Sequence, residues 1–292
     1  MVGQSHRGGG RWVVFLLAVA FSGVRTTLGG PTAYVVDLND LYRVDLSTAS
    51  ATLVGSTSAN IEGLATSSAG QMFGTDVVGR LLSINQSTGA GTVIGSTGRD
   101  DIEALHFSGP TLLAADYHAP TPTTIFQINT TAAATTNIVT ATSNTGGASA
   151  MAVADPNTLL LTQNQDNLGN DFQSLWAMNL TSGAMSFRGV LASVPEDVVT
   201  GLDFSGPTLY AVTVSGGLYT LNPNDAGRTL IGTMLNQSNA PLAALDITVP
   251  VPEPATLVIV MSVTILLIRR RRAGMPRQIE TRIEMGRKAF HR

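Results

Sequence analysis

The chain has 292 residues, room for one large domain or two smaller ones, and no Cys, which excludes a disulfide framework, a thiolate metal site and a thiol nucleophile. Its net charge of −3 is unevenly spread, because between positions 31 and 250 five Arg stand against seventeen Asp and Glu, and Lys is absent until Lys288. Such an acidic body cannot release counterions from a phosphate backbone, so nucleic acid is excluded as a partner; solubility accounts for the acidity, with cation binding as the alternative.

At the N-terminus, Arg7 and Arg11 precede the apolar run Trp12 to Val24, and Thr26, Thr27, Gly29 and Gly30 follow. Basic, apolar, then small and polar is the order of a secretory signal. Residues 1–30 are therefore expected to direct export, with cleavage somewhere between Ala20 and Pro31.

The body, residues 31–250, is rich in Gly, Ser, Thr, Val and Leu and repeats itself. One strand-like segment recurs as LYRVD at Leu41, LLSIN at Leu81, IFQIN at Ile125, LWAMN at Leu175 and LYTLN at Leu218. Each alternates apolar with variable positions and ends on Asp or Asn, which suits a strand entering a turn. A small-residue turn follows, and then an outer strand: ATLVG at Ala51, GTVIG at Gly91, TNIVT at Thr136, MSFRG at Met185 and RTLIG at Arg228. These two strands form a hairpin in every repeat.

Another element pairs a small residue with a larger one: Gly63-Leu64, Ala104-Leu105, Ala150-Met151, Gly201-Leu202 and Ala244-Leu245. Small residues there permit close approach at a crowded axis. Between this inner strand and the hairpin lies a further strand, marked by Tyr34-Val35, Met72-Phe73, Leu112-Leu113, Leu159-Leu160 and Leu209-Tyr210. Four strands per 40 to 50 residues predict an all-β, five-bladed propeller of four-stranded blades. The body starts without an inner strand and ends with a surplus one at Ala244-Leu245-Asp246-Ile247. That C-terminal inner strand is expected to complete the first blade and close the ring; an open pair of packed sheets is the alternative.

Chemistry in the body is sparse. His106 and His118 belong to no metal-spaced cluster or nucleophile motif. His106 falls in an inner strand, where it faces the channel or, more simply, is hydrogen-bonded between blades. Asp45, Asn85, Asn129, Asn179 and Asn222 sit where a side chain caps a turn, which also explains the glycosylation-like NQS, NTT and NLT at Asn85, Asn129 and Asn179, with NQS at Asn236 a fourth match. The insertion Gln163 to Asp171 and the acidic spot Asp100, Asp101 and Glu103 offer oxygen ligands without an EF-hand register, so solvated loops are expected. No cofactor and no catalytic residue is expected.

After the body, Val251-Pro252-Glu253-Pro254 leads into fourteen uncharged residues, Ala255 to Ile268, and then Arg269-Arg270-Arg271-Arg272. Fourteen helical residues rise about 21 Å against about 30 Å of hydrocarbon, a short transmembrane helix with its basic end in the cytoplasm. This order resembles the PEP-CTERM sorting signal. The resemblance implies that Pro252, Glu253 and Pro254 are the recognition element for an exosortase-type sorting enzyme, and that Arg269, Arg270, Arg271 and Arg272 are the cytoplasmic stop. It assigns residues 251–272 to sorting and implies a chain first anchored in the membrane, then placed at the cell surface or in extracellular matrix. Residues 273–292 form a basic cytoplasmic tail longer than that family's usual ending, either an amphipathic helix on anionic lipid or an extension without a function of its own. The expected function is a non-enzymatic envelope or matrix protein that presents its propeller to a glycan or an envelope protein. The alternative is a propeller enzyme of the lyase or lactonase kind acting on carbohydrate or ester.

Overall fold

Every repeat builds the same hairpin, for a local reason. A computed structural model describes residues 32–37, 39–117, 122–143, 146–163, 172–192, 197–234 and 242–248. In each repeat the Asp or Asn that ends the third strand accepts a bond from the backbone N–H two residues on: Ser47 to Asp45 at 2.8 Å, Ser87 to Asn85 at 2.9 Å, Thr131 to Asn129 at 2.8 Å, Thr181 to Asn179 at 2.9 Å and Asn224 to Asn222 at 3.0 Å. Four residues past that Asx position stands a left-handed residue, Ala49, Gly89, Ala133, Gly183 or Ala226, with φ between 57° and 78°. The expected turn role of all five Asp and Asn positions is thus met.

The first three strands are β1 (Thr32–Asp37), β2 (Asp40–Asp45) and β3 (Ser50–Ser56). The second blade comprises β4 (Ile61–Thr66), β5 (Met72–Asp76), β6 (Arg80–Ile84) and β7 (Gly91–Ser96). The third comprises β8 (Ala104–Ser108), β9 (Thr111–Ala115), β10 (Thr124–Ile128) and β11 (Thr135–Thr140). The fourth has β12 (Ala148–Asp155), β13 (Thr158–Gln163), β14 (Gln173–Asn179) and β15 (Met185–Ala192), and the fifth β16 (Val199–Ser205), β17 (Thr208–Thr213), β18 (Gly217–Leu221) and β19 (Arg228–Thr233). The last strand, β20 (Leu242–Thr248), is the inner strand of the first blade, whose order is β20-β1-β2-β3.

This pairing closes the ring as the mismatched ends of the repeat array predict. β20 and β1 run antiparallel with Thr32 opposite Thr248 and Val35 opposite Leu245. Inner strands touch around the axis in the cycle β20, β4, β8, β12, β16 and back to β20. The chain is an all-β propeller of five four-stranded antiparallel blades. Its core is divided into five apolar clusters. They lie where blade meets blade: Tyr34, Val36 and Leu41 of the first blade pack on Ile61 and Leu64 of the second. Both faces of a blade are covered, so second strands such as β5 are buried at every residue.

Each outer strand is an edge, and each is interrupted by a bulge that skips Val54, Ile94, Ile138, Arg188 or Ile231 in the pairing. A bulge bends the edge and blocks addition of a further strand. In the third blade Asn137 faces Phe126, the place that Leu53 takes opposite Tyr42. The sequence expectation of an outer strand in register from Thr136 is therefore one residue late. The Asx spacing, not the apolar pair Ile138-Val139, sets that register.

The bulges also receive the neighbouring turns. A Cβ added to Gly89 would lie 2.3 Å from the Gly55 carbonyl oxygen, and one on Gly183 2.2 Å from that of Thr140. Ala226 and Ala49 sit correspondingly against Gly189 and Gly232, and Ala133 against Gly95. Each left-handed turn residue thus docks on the outer strand of the preceding blade, all round the ring. Alanine in this conformation costs on the order of 1 kcal/mol, offset here by burial of its methyl group.

The small residues of the inner strands are equally constrained. A Cβ on Gly201 would stand 2.2 Å from the Leu245 backbone nitrogen, whereas one on Gly206, with φ of 58°, would meet nothing within 4 Å. Gly201→Ala is therefore expected to destabilise by about 3 kcal/mol or more, against about 1 kcal/mol for Gly206→Ala, in urea unfolding. Equal losses would show that β16 and β20 do not need this close approach.

Candidate functional site

Counting from the small residue of each inner strand orders the axis into layers. One position before it stand Glu62, Glu103, Ser149, Thr200 and Ala243; one after, Leu64, Leu105, Met151, Leu202 and Leu245; two after, Ala65, His106, Ala152, Asp203 and Asp246. The five large apolar side chains of the middle layer are buried. They border an axial cavity of about 10 Å³, together with Glu103. That is about the volume of one water molecule's probe sphere, so the channel is plugged.

The layer beyond the plug holds charged side chains from three blades. Asp246 accepts bonds from the Thr66 N–H at 2.9 Å and the Thr66 hydroxyl at 2.6 Å, tying the closing strand β20 to β4. Asp203 does the same one blade earlier, accepting from the Ile247 N–H at 2.6 Å, and also from Phe204 N–H at 2.6 Å. His106 Nε2 lies 3.0 Å from Asp203 Oδ1. Blades three and five are not neighbours, so this bond crosses the channel. It meets both sequence expectations for His106, at the channel and bonded between blades.

His106 Nδ1 is 2.8 Å from the Phe107 carbonyl, which only accepts, so Nδ1 carries a proton. Nε2 faces Asp203 Oδ1. Burial disfavours charge on His106, yet the adjoining Asp203 and Asp246 raise its pKa on balance. Burial, and then Asp203, also raise the pKa of Asp246. His106 and Asp246 thus both hold a proton more tightly than they would in water.

At the opposite mouth Glu62, Asp101 and Glu103 bring carboxylate oxygens within 4.8 Å of one another. Burial, then Asp101 and Asp76, push Glu62 up to about 7. Burial, then Asp101 and Glu62, push Glu103 up to about 8. Glu62 Oε2 is inaccessible to solvent and has no hydrogen-bond partner. An all-oxygen set of this kind suits a hard cation such as calcium, though three side chains leave most of its coordination sphere to other donors. Without a cation, crowded carboxylates stay partly protonated. No His joins this cluster among the described residues, and His106 lies beyond the plug.

The expected acidic spot is thus realised in part: Asp101 and Glu103 converge with Glu62, and Asp100 remains exposed outside the cluster. Gln163, expected in a ligand-rich loop, is buried, with Nε2 donating to the Thr123 hydroxyl at 3.1 Å. The rest of that insertion, His118 and Asn236 lie outside the described residues, as do Pro252, Glu253, Pro254 and Arg269, Arg270, Arg271 and Arg272 with the short apolar helix expected between them. Among the described residues no helix is long and apolar enough to cross a membrane. Sequence reasoning missed Glu62, Asp203 and Asp246. Their shared register with Glu103 and His106, relative to the small inner-strand residue, was the available signal.

No protein-family model and no curated protein matches the chain. Solved structures do resemble it in shape. The crystal structure of a nidogen/laminin complex aligns at 12% identity and a TM-score of 0.49, covering 75% of this chain and 98% of that one. A TolB-type protein of Agrobacterium tumefaciens gives 13% and 0.42, covering 70% and 71%. BamB of Moraxella catarrhalis gives 14% and 0.35, covering 68% and 57%. The assignment of five blades rests on this chain's own strand pairing.

The carboxylate cluster fixes the sign of a pH effect. Glu62 and Glu103 bind protons up to about 7 and 8 in the folded chain but only to an ordinary 4.5 when unfolded. Their stabilising contribution is whole below pH 4.5 and is lost as pH rises through 7 and 8. Urea unfolding is expected to show lower stability at pH 9 than at pH 6. Glu103→Gln, uncharged throughout, is expected to be about 2 kcal/mol more stable than the parent at pH 9. A variant no more stable there would show that the cluster is not strained by charge.

Proposed function

We propose that this chain is an exported surface protein whose propeller is a non-enzymatic binding scaffold. The observation that carries this reading is the plugged axis: Leu64, Leu105, Met151, Leu202 and Leu245 leave about 10 Å³, too little for any substrate. A ligand, whether glycan or envelope protein, then binds at a mouth of the channel or on the outer surfaces of the ring. Residues 1–30 deliver the chain across the membrane. Residues 251–272, with Pro252-Glu253-Pro254, the apolar run and four Arg, hand it to an exosortase-type enzyme for release or attachment at the surface.

One observation favours a second reading, a metal-dependent propeller hydrolase: the three-carboxylate cluster beside the axis. Its carboxylates are bases in themselves, but no His joins them among the described residues, and the fold alone assigns them no catalytic role. Calcium-dependent hydrolysis of a lactone by the full chain, abolished in Glu103→Gln, would favour this reading over the scaffold.

The direct test is mass spectrometry of both termini of the mature protein recovered from the surface of its native host. A C-terminus near Pro252 to Pro254 is expected, with an N-terminus between Ala20 and Pro31. Retention of Arg269 to Arg292 would overturn processing and leave a tail-anchored protein; recovery from the cytoplasm alone would overturn export.

A further inference from the structure

Ring closure fixes where both ends of the propeller leave it. Thr32 begins β1, Thr248 ends β20, the two are paired, and the Thr248 hydroxyl donates to the Thr32 carbonyl at 3.1 Å. Both stand on the face that carries the five Asx turns and the turns from inner to second strand, such as Ser67 to Gln71. The Glu62–Asp101–Glu103 mouth opens on the other face.

Both faces are acidic. On the terminal face the described turns hold Asp45, Asp155 and Asp225, each engaged by a backbone N–H of its own turn, with Arg43 beside Asp45, and Asp203 and Asp246 lie on the same side of the plug with His106. The opposite face gathers Asp40, Asp100 and the three-carboxylate cluster, and its Arg80 and Arg99 are bound to Asp76 and Asp116 at 2.6 Å each. Charge alone therefore does not choose which face meets an anionic bilayer.

The reach of the tether chooses between them. The apolar run begins at Ala255, seven residues beyond Thr248, so the tether reaches about 25 Å at full extension. Thr248 ends an inner strand, next to an axis that is plugged. To bring the opposite face to the membrane the tether must cross three strand spacings, about 14 Å, and then descend a blade, about 20 Å more. The sum exceeds its reach.

We propose that, while joined to its apolar C-terminal segment, the propeller rests its terminal face on the anionic lipid surface and holds the acidic mouth outward. The proposal depends on the reading above that residues 255–268 enter the membrane.

The absence of Cys makes the test clean. Ser68→Cys and Val78→Cys place one thiol at each end of β5, in exposed turns on the terminal and the opposite face. The full chain, labelled at either site with a donor fluorophore, is reconstituted in phosphatidylglycerol vesicles that carry acceptors on the headgroups. With about 17 Å of strand between the sites, energy transfer is expected to be at least about twofold higher from position 68. Co-flotation with equal transfer, or with higher transfer from position 78, would overturn the orientation alone. Failure of the full chain to float with the vesicles would overturn the membrane reading and the orientation together.

Discussion

Five inner strands converge on one axis, and how closely they approach governs what every neighbouring residue can be. Gly201 packs on the backbone of β20, and Gly63 stands against Thr75 and the third blade's Leu105, positions where a Cβ would fall 2.2 to 2.5 Å from existing atoms. That proximity leaves the next residue of each strand nowhere to go but into the axis and the adjoining blade contacts. Leu, Leu, Met, Leu and Leu fill it and close the channel. The plug in turn separates two charged layers that would otherwise share one solvated tube. One becomes a bridge of His106, Asp203 and Asp246; the other opens at the mouth as Glu62, Asp101 and Glu103.

The perimeter solves a different problem. Four-stranded blades expose five edges, and each is disarmed by a bulge whose distortion also makes a seat for the next blade's turn. At least one apolar side chain per blade remains exposed at or beside a bulge: Leu53, Val93, Ile138, Phe187 with Val190, and Leu230. The same turn-in-bulge contact recurs between the fifth blade and the first, where Ala49 meets Gly232. Closure of the ring therefore rests on the rim as well as on β20 and β1, and the termini are held at one face from both sides.

Much of this was legible because it repeats. The turn Asp and Asn recur at a fixed distance from a strand, so their capping role could be read five times over, and the surplus inner strand at Ala244 announced closure by simple phase. The third blade shows where alternation misleads: Ile138-Val139 looked like the outer-strand pair, yet the turn spacing places Asn137 in register. The polar layers were harder to see because they break the repeat. Glu62 and Glu103 occupy one register in two adjacent blades, and Asp101 joins them from a loop; Asp203 and Asp246 share another, while His106 reaches past a neighbour to a blade 97 residues away. A search tuned to what recurs passes over residues whose role depends on not recurring.

That distinction bears on what the molecule is for. Positions set by packing, such as the small inner-strand residue, vary only between Gly and Ala across the five blades. Positions facing the axis on either side of the plug vary from Ala to charged groups, which the scaffold tolerates only with compensation. Asp203 and Asp246 receive backbone N–H groups of the next blade, which reduces the cost of burying them and ties neighbouring blades together. Glu62 receives no such bond on Oε2, and Glu103 is raised by burial and by its neighbours' charge. These bonds link the blades on the closure side of the plug, yet burial still raises Asp246 to about 7, as it raises Glu62, so its ionised form also costs stability. Charge at the outward mouth is carried at a cost to stability, which is the kind of position where a fold departs from its own rules for a surface it presents.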